Sequence, residues 1–325
     1  MLIQLYRNVG WLFNDVTYAK GVGGLQTQAI ELAKELVKAG HQVEAYMSST
    51  NSKGQDGVEY RIPSEFKGNG DIIIGVNVLP DMSFEKKGKW ISWIHTPGIH
   101  CYSPKMDFVV CNSEWTLEHY QSQKKGDNYV MIPNGFYFDK HVNTQEKEPF
   151  SIILAGSVAK GFKRIPEIFK RVRAMLPSAT FDVYGGAKLW SQNESEYEPL
   201  YQAMRDAGIN YHGLVSKDEL NEVYKKKAVY FSPRCDHAES FGLTVIEAMA
   251  SGCVPVCSKK GNLTNLLAVK DSGVLLEYDE NIDEARVLID LLTDEAKLAR
   301  LRKGAVESVK QYDWANVIKL WEDLL

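Results

Sequence analysis

The chain has 325 residues, with 38 Lys and Arg against 42 Asp and Glu and a formal net charge of −4. That length exceeds one ordinary hydrophobic core and implies two domains, while the near-balanced charge argues against a general polyanion-binding surface. No apolar run approaches the ~20 residues of a membrane span, the N-terminus MLIQLYRNVGWLFND lacks the basic-then-apolar order of a signal peptide, and the five cysteines are scattered rather than spaced as metal ligands.

The expected location is the cytoplasm, including the cytoplasmic face of a membrane. LIQLY (2–6) reads as a first strand. It leads through a turn containing Gly23 and Gly24 into the helix LQTQAIELAKELVKAG, whose Leu25, Ala29, Leu32 and Leu36 form one stripe and whose stop is Gly40. QVEAYM, DIIIGVNV, KWISWIH and MDFVVCNS follow as apolar strand runs. SEWTLEHYQSQ reads as a helix capped by Ser113, and YVMIPNG closes the half. The polar NTQEKEP, 143–149, reads as a linker.

The second half repeats the alternation. FSIILAGS, TFDVYGG, INYHGLV, AVYFSP, CVPVCS and GVLLEY are strand runs, with helices over FKRIPEIFKRVR, SKDELNEVYKKK and LTVIEAMA. Strands alternating with helices of this length imply right-handed βαβ units and parallel sheets. The expected fold is α/β, two Rossmann-like doubly wound parallel-sheet domains facing across a cleft. The domains are expected at 1–142 and 149–311, with a C-terminal helix, 312–325, packing back on the first. Ligands of such folds bind outside the carboxyl ends of the strands.

The stretch HAESFGLTVIEAMASGC lies at one such end. Gly242 opens the helix LTVIEAMA, whose first amides have no partner within the helix and attract anions, phosphate above all. Thr244 and Glu247 share a helix face, and Glu239 lies in the loop before it. A ligand with phosphate in its middle and hydroxyls at both ends suits two carboxylates set around those amides.

The string from Glu239 to Val256 resembles the E-x7-E signature of retaining GT-B glycosyltransferases, most closely family 4. The resemblance places Glu239 by the donor sugar and Glu247 on the ribose, with Ser240 and the amides of Phe241, Gly242, Leu243 and Thr244 on sugar and phosphate. GVGGLQTQAIELAKELVKAGHQV is similar to the family's N-terminal glycine loop, where Gly23 and Gly24 let the backbone approach phosphate or acceptor. WIHTPG is similar to the stretch that carries a histidine near the reacting sugar, a role that falls to His95, with His100 as its rival. In AGSVAKGFKR the Lys-Gly of the family's diphosphate grip is present at Lys160, but Ser157 stands where arginine is expected, and Lys163 or Arg164 could compensate. Gly185, in the glycine turn of TFDVYGG, counts with the donor side. KKGNLTNLL departs further, with Gly261, Asn262 and Asn265 in place of a Gly-Gly and a later glutamate.

The resemblance implies transfer of a hexose from a UDP- or GDP-sugar, bound by the C-terminal domain (149–311), to a hydroxyl of a glycan or glycoconjugate on the N-terminal, acceptor-side domain (1–142), with retention. It implies no cofactor beyond the donor and no metal, and no Asp-x-Asp triplet occurs to hold one. Two alternatives stay open: a phage-type DNA base glucosyltransferase, for which Lys86, Lys87, Lys89, Lys124 and Lys125 would form the basic groove, and a non-catalytic nucleotide-sugar-binding protein. Peripheral membrane contact, as of a transferase acting on a lipid-linked glycan, is a further alternative, although the amphipathic FKRIPEIFKRVR lies in the second half whereas peripheral members of the family dock through the N-terminal domain. A dehydrogenase is disfavoured because neither opening strand is followed by G-x-G-x-x-G. The oligomeric state has no sequence signal.

Overall fold

The computed structural model of the protein describes residues 1–10, 12–98, 101–124, 126–190, 192–277, 279 and 282–325, the Trp190 side chain excepted. Short aliphatic runs such as Ile72–Val76 and Ser151–Gly156 are buried at every position, as parallel strands covered on both faces require. The chain divides into two units, Met1–Phe136 with Tyr312–Leu325, and Tyr137–Gln311.

Unit 1 holds β1 (Leu2–Tyr6), β2 (Gln42–Tyr46), β3 (Ser52–Lys53), β4 (Glu59–Arg61), β5 (Ile72–Val76), β6 (Lys89–Ile94), β7 (Phe108–Cys111) and β8 (Tyr129–Met131). They form one sheet in the order β3-β4-β2-β1-β5-β6-β7-β8. Every neighbouring pair is parallel except β3 with β4. Unit 2 holds β9 (Ser151–Gly156), β10 (Thr180–Gly185), β11 (Asn210–Gly213), β12 (Val229–Ser232), β13 (Val254–Ser258) and β14 (Val274–Leu276). Its all-parallel order is β11-β10-β9-β12-β13-β14. In each unit the strand order reverses beside the first strand, at β1/β5 and at β9/β12. Connections leave such a switch point in opposite directions and open a crevice there.

The two doubly wound sheets match the sequence expectation, and Ser113 caps its helix, its Oγ accepting from the Thr116 amide at 3.1 Å. Elements not anticipated include the helices Asp15–Ala19, Glu198–Asp206, Leu263–Leu266, Glu284–Leu292 and Glu295–Val309, together with the short β3 and β4. The last two are too short to leave a periodicity; they form a hairpin on a turn in which Gly57 takes φ +89° and Asp56 Oδ1 accepts from the Val58 amide at 3.1 Å.

The expected linker at 143–149 belongs instead to unit 2. Asn143 Nδ2 donates to the Lys225 carbonyl at 2.6 Å, and Lys147 Nζ donates to the carbonyls of Ser251 at 2.7 Å and Tyr224 at 2.9 Å. The chain passes between units at Phe136 and Tyr137, and the polar side chains at 143–149, which would also suit a linker, serve instead as backbone-carbonyl partners. The amphipathic helix Ile165–Met175 buries Ile165, Ile168, Phe169 and Val172 within unit 2, so its apolar side is already covered. Among the described residues no helix is long and apolar enough to cross a membrane.

The C-terminal helix Trp314–Leu324 completes unit 1. Trp314 Nε1 donates to Glu31 Oε2 at 2.8 Å, and the Trp321 ring meets Trp93 edge-on at 5.2 Å. A Cβ at Gly135 would come within 2.3 Å of the Trp314 ring. Trp314→Ala therefore opens a cavity and removes a donor from a buried carboxylate, and should lower stability by about 3–5 kcal/mol; urea unfolding followed by far-UV circular dichroism checks this.

Candidate functional site

The crevice at β9/β12 is built by glycines. β9 ends at Gly156, and the turn that follows closes with the Lys160 amide on the Ser157 carbonyl at 3.0 Å. The stem of Lys160 folds back over Gly156, where a Cβ would stand 2.5 Å from its Cδ. Gly161 takes φ +80° and leaves no room for a side chain, since Pro233 Cγ lies 2.7 Å from the Cβ position. The Lys160 ammonium is thereby aimed across the switch point at the carboxylate of Glu239, with which it forms an ion pair.

Glu239 is held from the other side. It makes a parallel bridge with Gly261, whose Cβ position lies 2.3 Å from the Glu239 carbonyl oxygen, and that carbonyl accepts from the Asn262 amide at 2.8 Å. Asn262 Nδ2 donates to the Phe241 carbonyl at 2.9 Å. The Gly261-Asn262 pair, a departure from the family pattern, thus clamps the loop that carries Glu239. Gly242 then takes φ +93° and starts the helix Leu243–Ala250 with no side-chain cap, which leaves the first helical amides turned outward without intrahelical acceptors.

Thr244 and Tyr230 line the same corner. Thr244 Oγ1 lies 3.5 Å from Lys160 Nζ and 3.0 Å from the Tyr230 hydroxyl, which donates to the Ala155 carbonyl at 2.9 Å. Lys160 and Glu239 side chains are each 14% exposed. Burial works against the ammonium, but the Glu239 carboxylate outweighs it and holds Lys160 above the usual lysine range. Burial pushes the Tyr230 hydroxyl up.

Glu247 is fully buried on the same helix, and its Oε1 accepts from Lys217 Nζ. Lys217 stands at the start of the helix Lys217–Lys226, capped by Ser216. Sequence reading missed Lys217 and Tyr230; the one signal for Lys217 is its place in a helix start after a strand.

The remaining candidates are spread more widely. Ser157 is buried, its Oγ without a hydrogen-bond partner among the described residues. Lys163 is exposed. Arg164 is engaged with Glu284, a buried carboxylate that also accepts from the Arg234 amide at 2.8 Å. Gly185 takes φ +98°, with the Gly156 carbonyl oxygen 2.2 Å from its Cβ position, so glycine is required there by the approach of β10 to β9. Ser240 and Leu243 flank Phe241 and Gly242 on the loop and helix start.

Gly23, Gly24 and His95 belong to unit 1. Gly23 caps the 15-residue helix Gly24–Lys38. His95 follows β6; its amide donates to Asn77 Oδ1 at 2.9 Å, its ring lies 4.3 Å from that of Trp93, and its Nε2 is buried without a partner among the described residues. Burial, with Arg7 adding to it, pushes its pKa down to about 3. His100 lies outside the described residues, as does Lys125. Of the other lysines proposed for a basic groove, Lys86 pairs with Asp107 at 2.7 Å and Lys89 donates to the main-chain oxygens of Leu324 and Leu325 at 2.7 and 2.9 Å. Among the described residues no group of His, Cys, Asp and Glu is placed to hold a metal ion.

The family model for glycosyl transferases group 1 matches residues 137–308. The chain is 27% identical over 183 residues to a D-inositol 3-phosphate glycosyltransferase of Catenulispora acidiphila, a match that covers 53% of this chain and 42% of that protein, so the chain spans less than half the length of this relative. Its fold is similar to that of a sucrose-phosphate synthase from Thermosynechococcus elongatus, with a TM-score of 0.79 at 18% identity over 99% of this chain and 98% of the other. It is also similar in fold to Anabaena HepE, solved in complex with UDP-glucose, with a TM-score of 0.75 at 16% identity over 100% and 99% of the two chains. Both likenesses are ones of fold, the GT-B architecture.

The neutral state of His95 has a measurable consequence. Its folded pKa of about 3 lies below the ordinary 6.5, so between those values the unfolded chain binds the extra proton. Its contribution to stability is complete above pH 6.5 and lost as pH falls towards 3. His95→Asn should flatten the decline in unfolding free energy by about 1.4 kcal/mol per pH unit in that window, measured by urea unfolding from pH 4 to 7.

Proposed function

Because the chain belongs to the glycosyl transferases group 1 family, we propose that it transfers a hexose from a UDP- or GDP-sugar to a hydroxyl acceptor, with retention at the anomeric carbon. The observation that supports this most is the Lys160–Glu239 pair at the β9/β12 switch point, beside the uncapped start of the helix Leu243–Ala250 and inside the segment that the family model matches. A fixed cation and a row of amides suit a diphosphate; a carboxylate beside them suits sugar hydroxyls.

The reaction asks little covalent chemistry of the protein. The bond from the anomeric carbon to the diphosphate oxygen breaks, the acceptor oxygen bonds to the same face of that carbon, and its proton passes to the departing phosphate. Negative charge grows on the diphosphate, where Lys160 and the helix amides offset it without reorganising. Glu239 orients the sugar, and Glu247 receives the ribose hydroxyls, with Lys217 as its ion-pair partner. His95, Gly23 and Gly24 keep the roles that the family resemblance assigns. No cofactor and no metal enter the scheme, because Lys160 supplies the positive charge that a cation would otherwise bring. The engaged states of Lys86 and Lys89 weigh against a DNA acceptor.

A thermal-shift panel of UDP, GDP and ADP in EDTA tests the reading. One of them should stabilise the protein by ~2.7 kcal/mol at a hundred times its dissociation constant, and no response to any would refute a donor site. Lys160→Ala should cut kcat/KM for the sugar donor by ~10²-fold or more, since an electrostatic donor acting on transition-state charge is worth about 2.7–4 kcal/mol; steady-state kinetics reads this.

A further inference from the structure

A second charge cluster in unit 2 lies outside the chemistry described so far. Glu284 opens the helix Glu284–Leu292, and its side chain is 1% exposed. A carboxylate withdrawn so far from water is costly unless cations and amides surround it. It is held from two separate loops. Arg164 Nη2 pairs with Oε2. The Arg234 amide donates to Oε1 at 2.8 Å, and Arg234 Nε stands 3.4 Å from Oε2. The Arg234 guanidinium also donates to the carbonyls of Asp279 and Ile282, the latter at 3.1 Å, which fixes it on the segment leading into the same helix.

Those two loops are the ones that carry the Lys160–Glu239 pair. Arg164 closes the single turn Phe162–Arg164 that follows Lys160 and Gly161, its amide donating to the Gly161 carbonyl at 2.9 Å. Arg234 follows β12 and begins the loop that runs through Glu239 to Gly242. The loops thus meet at the Lys160–Glu239 pair, at the close approach of Pro233 to Gly161, and at Glu284. A sugar diphosphate that takes the ammonium and the carboxylate as its own partners dissolves the first of these ties. The ties through Glu284 use neither charge of the pair, so they persist when it opens.

We propose that Glu284 is a positioning residue: it staples the Lys160 turn to the Glu239 loop, so that ammonium and carboxylate keep their spacing when the donor parts them. The positioning role rests on the transfer reading above; the stapling of the two loops does not. Arg164, close to the phosphate lysine in sequence, is committed to the staple.

Calorimetric titration of UDP, GDP and ADP into wild type, Glu284→Gln, Lys160→Ala and the double variant tests the role. Glu284→Gln keeps the shape of the side chain and removes its charge. Loss of a negative charge near a diphosphate would by itself tighten binding, so a weakening reports lost positioning. Glu284→Gln should weaken the nucleotide that wild type binds by about tenfold. In the Lys160→Ala background it should weaken it no further, because the residue acts through the lysine. Arg164→Gln, at a side chain 45% exposed, breaks the staple from the surface and should show the same dependence on Lys160.

Hydrogen–deuterium exchange of the same proteins reads the staple without a ligand. Amides of 157–164 and of 233–242 should both exchange faster in Glu284→Gln and in Arg164→Gln, while the helix Gly24–Lys38 keeps its protection. Unchanged or tighter nucleotide binding in Glu284→Gln, equal weakening with and without Lys160, or unchanged exchange in either loop would overturn the proposal. A wild type that binds none of the three nucleotides would refute the transfer reading and the positioning role with it, and joint acceleration of the two loops would then sustain the staple alone.

Discussion

The contact between the Lys160 ammonium and the Glu239 carboxylate is the constraint around which unit 2 is arranged. Two charges drawn largely out of water are expensive, and their attraction alone seldom repays the desolvation. A pair of this kind is poor evidence for stability and better evidence for use. Four glycines serve it: Gly156 yields to the lysine stem, Gly161 turns the chain beneath Pro233, Gly261 admits the Glu239 backbone, and Gly242 opens the helix beside them. Each does so at the carboxyl edge of β9 or β12, or in a loop packed against them, and the switch in strand order explains why that edge is open.

Under the proposed function the two charges of the pair have separable duties. In the free protein each satisfies the other. In the proposed reaction a sugar diphosphate would offer each a new partner, phosphate for the ammonium and hydroxyls for the carboxylate, so the corner would be prepared without being left uncompensated. Lys217 pairs with Glu247 as Lys160 pairs with Glu239, an ion pair inside the fold in each case. Unit 1 has a different character, with a neutral buried imidazole at His95. In unit 2, Lys160 and Lys217 bring positive charge to the corner where the proposed chemistry develops negative charge.

Most of the architecture was legible because buried parallel strands leave continuous aliphatic runs and helices between them leave a stripe, as Ile72–Val76 and the helix Gly24–Lys38 show. β3 and β4 were not, since two and three residues carry no period. The boundary at 143–149 misled because polarity does not distinguish a linker from a segment whose side chains bond to neighbouring carbonyls, as Asn143 and Lys147 do. In the candidate site, Glu239, Glu247 and Gly242 stood out by their placement around a helix start, and Lys160 by the family resemblance. Lys217, Tyr230 and the Asn262 clamp did not, because each acts through a contact distant in sequence. The engagement of Arg164 with Glu284 across 120 positions was equally out of reach.

Calorimetric titration of the stabilising nucleoside diphosphate into wild type, Lys160→Ala and Glu239→Gln tests the central pair most directly. Lys160→Ala should weaken binding by about 1.5–3 kcal/mol, the scale of a charge-assisted hydrogen bond, whereas Glu239→Gln releases the ammonium and should leave the affinity as high as in wild type or higher. Equal weakening in both variants, or no change in Lys160→Ala, would contradict the assignment of the lysine to the diphosphate and the glutamate to the sugar.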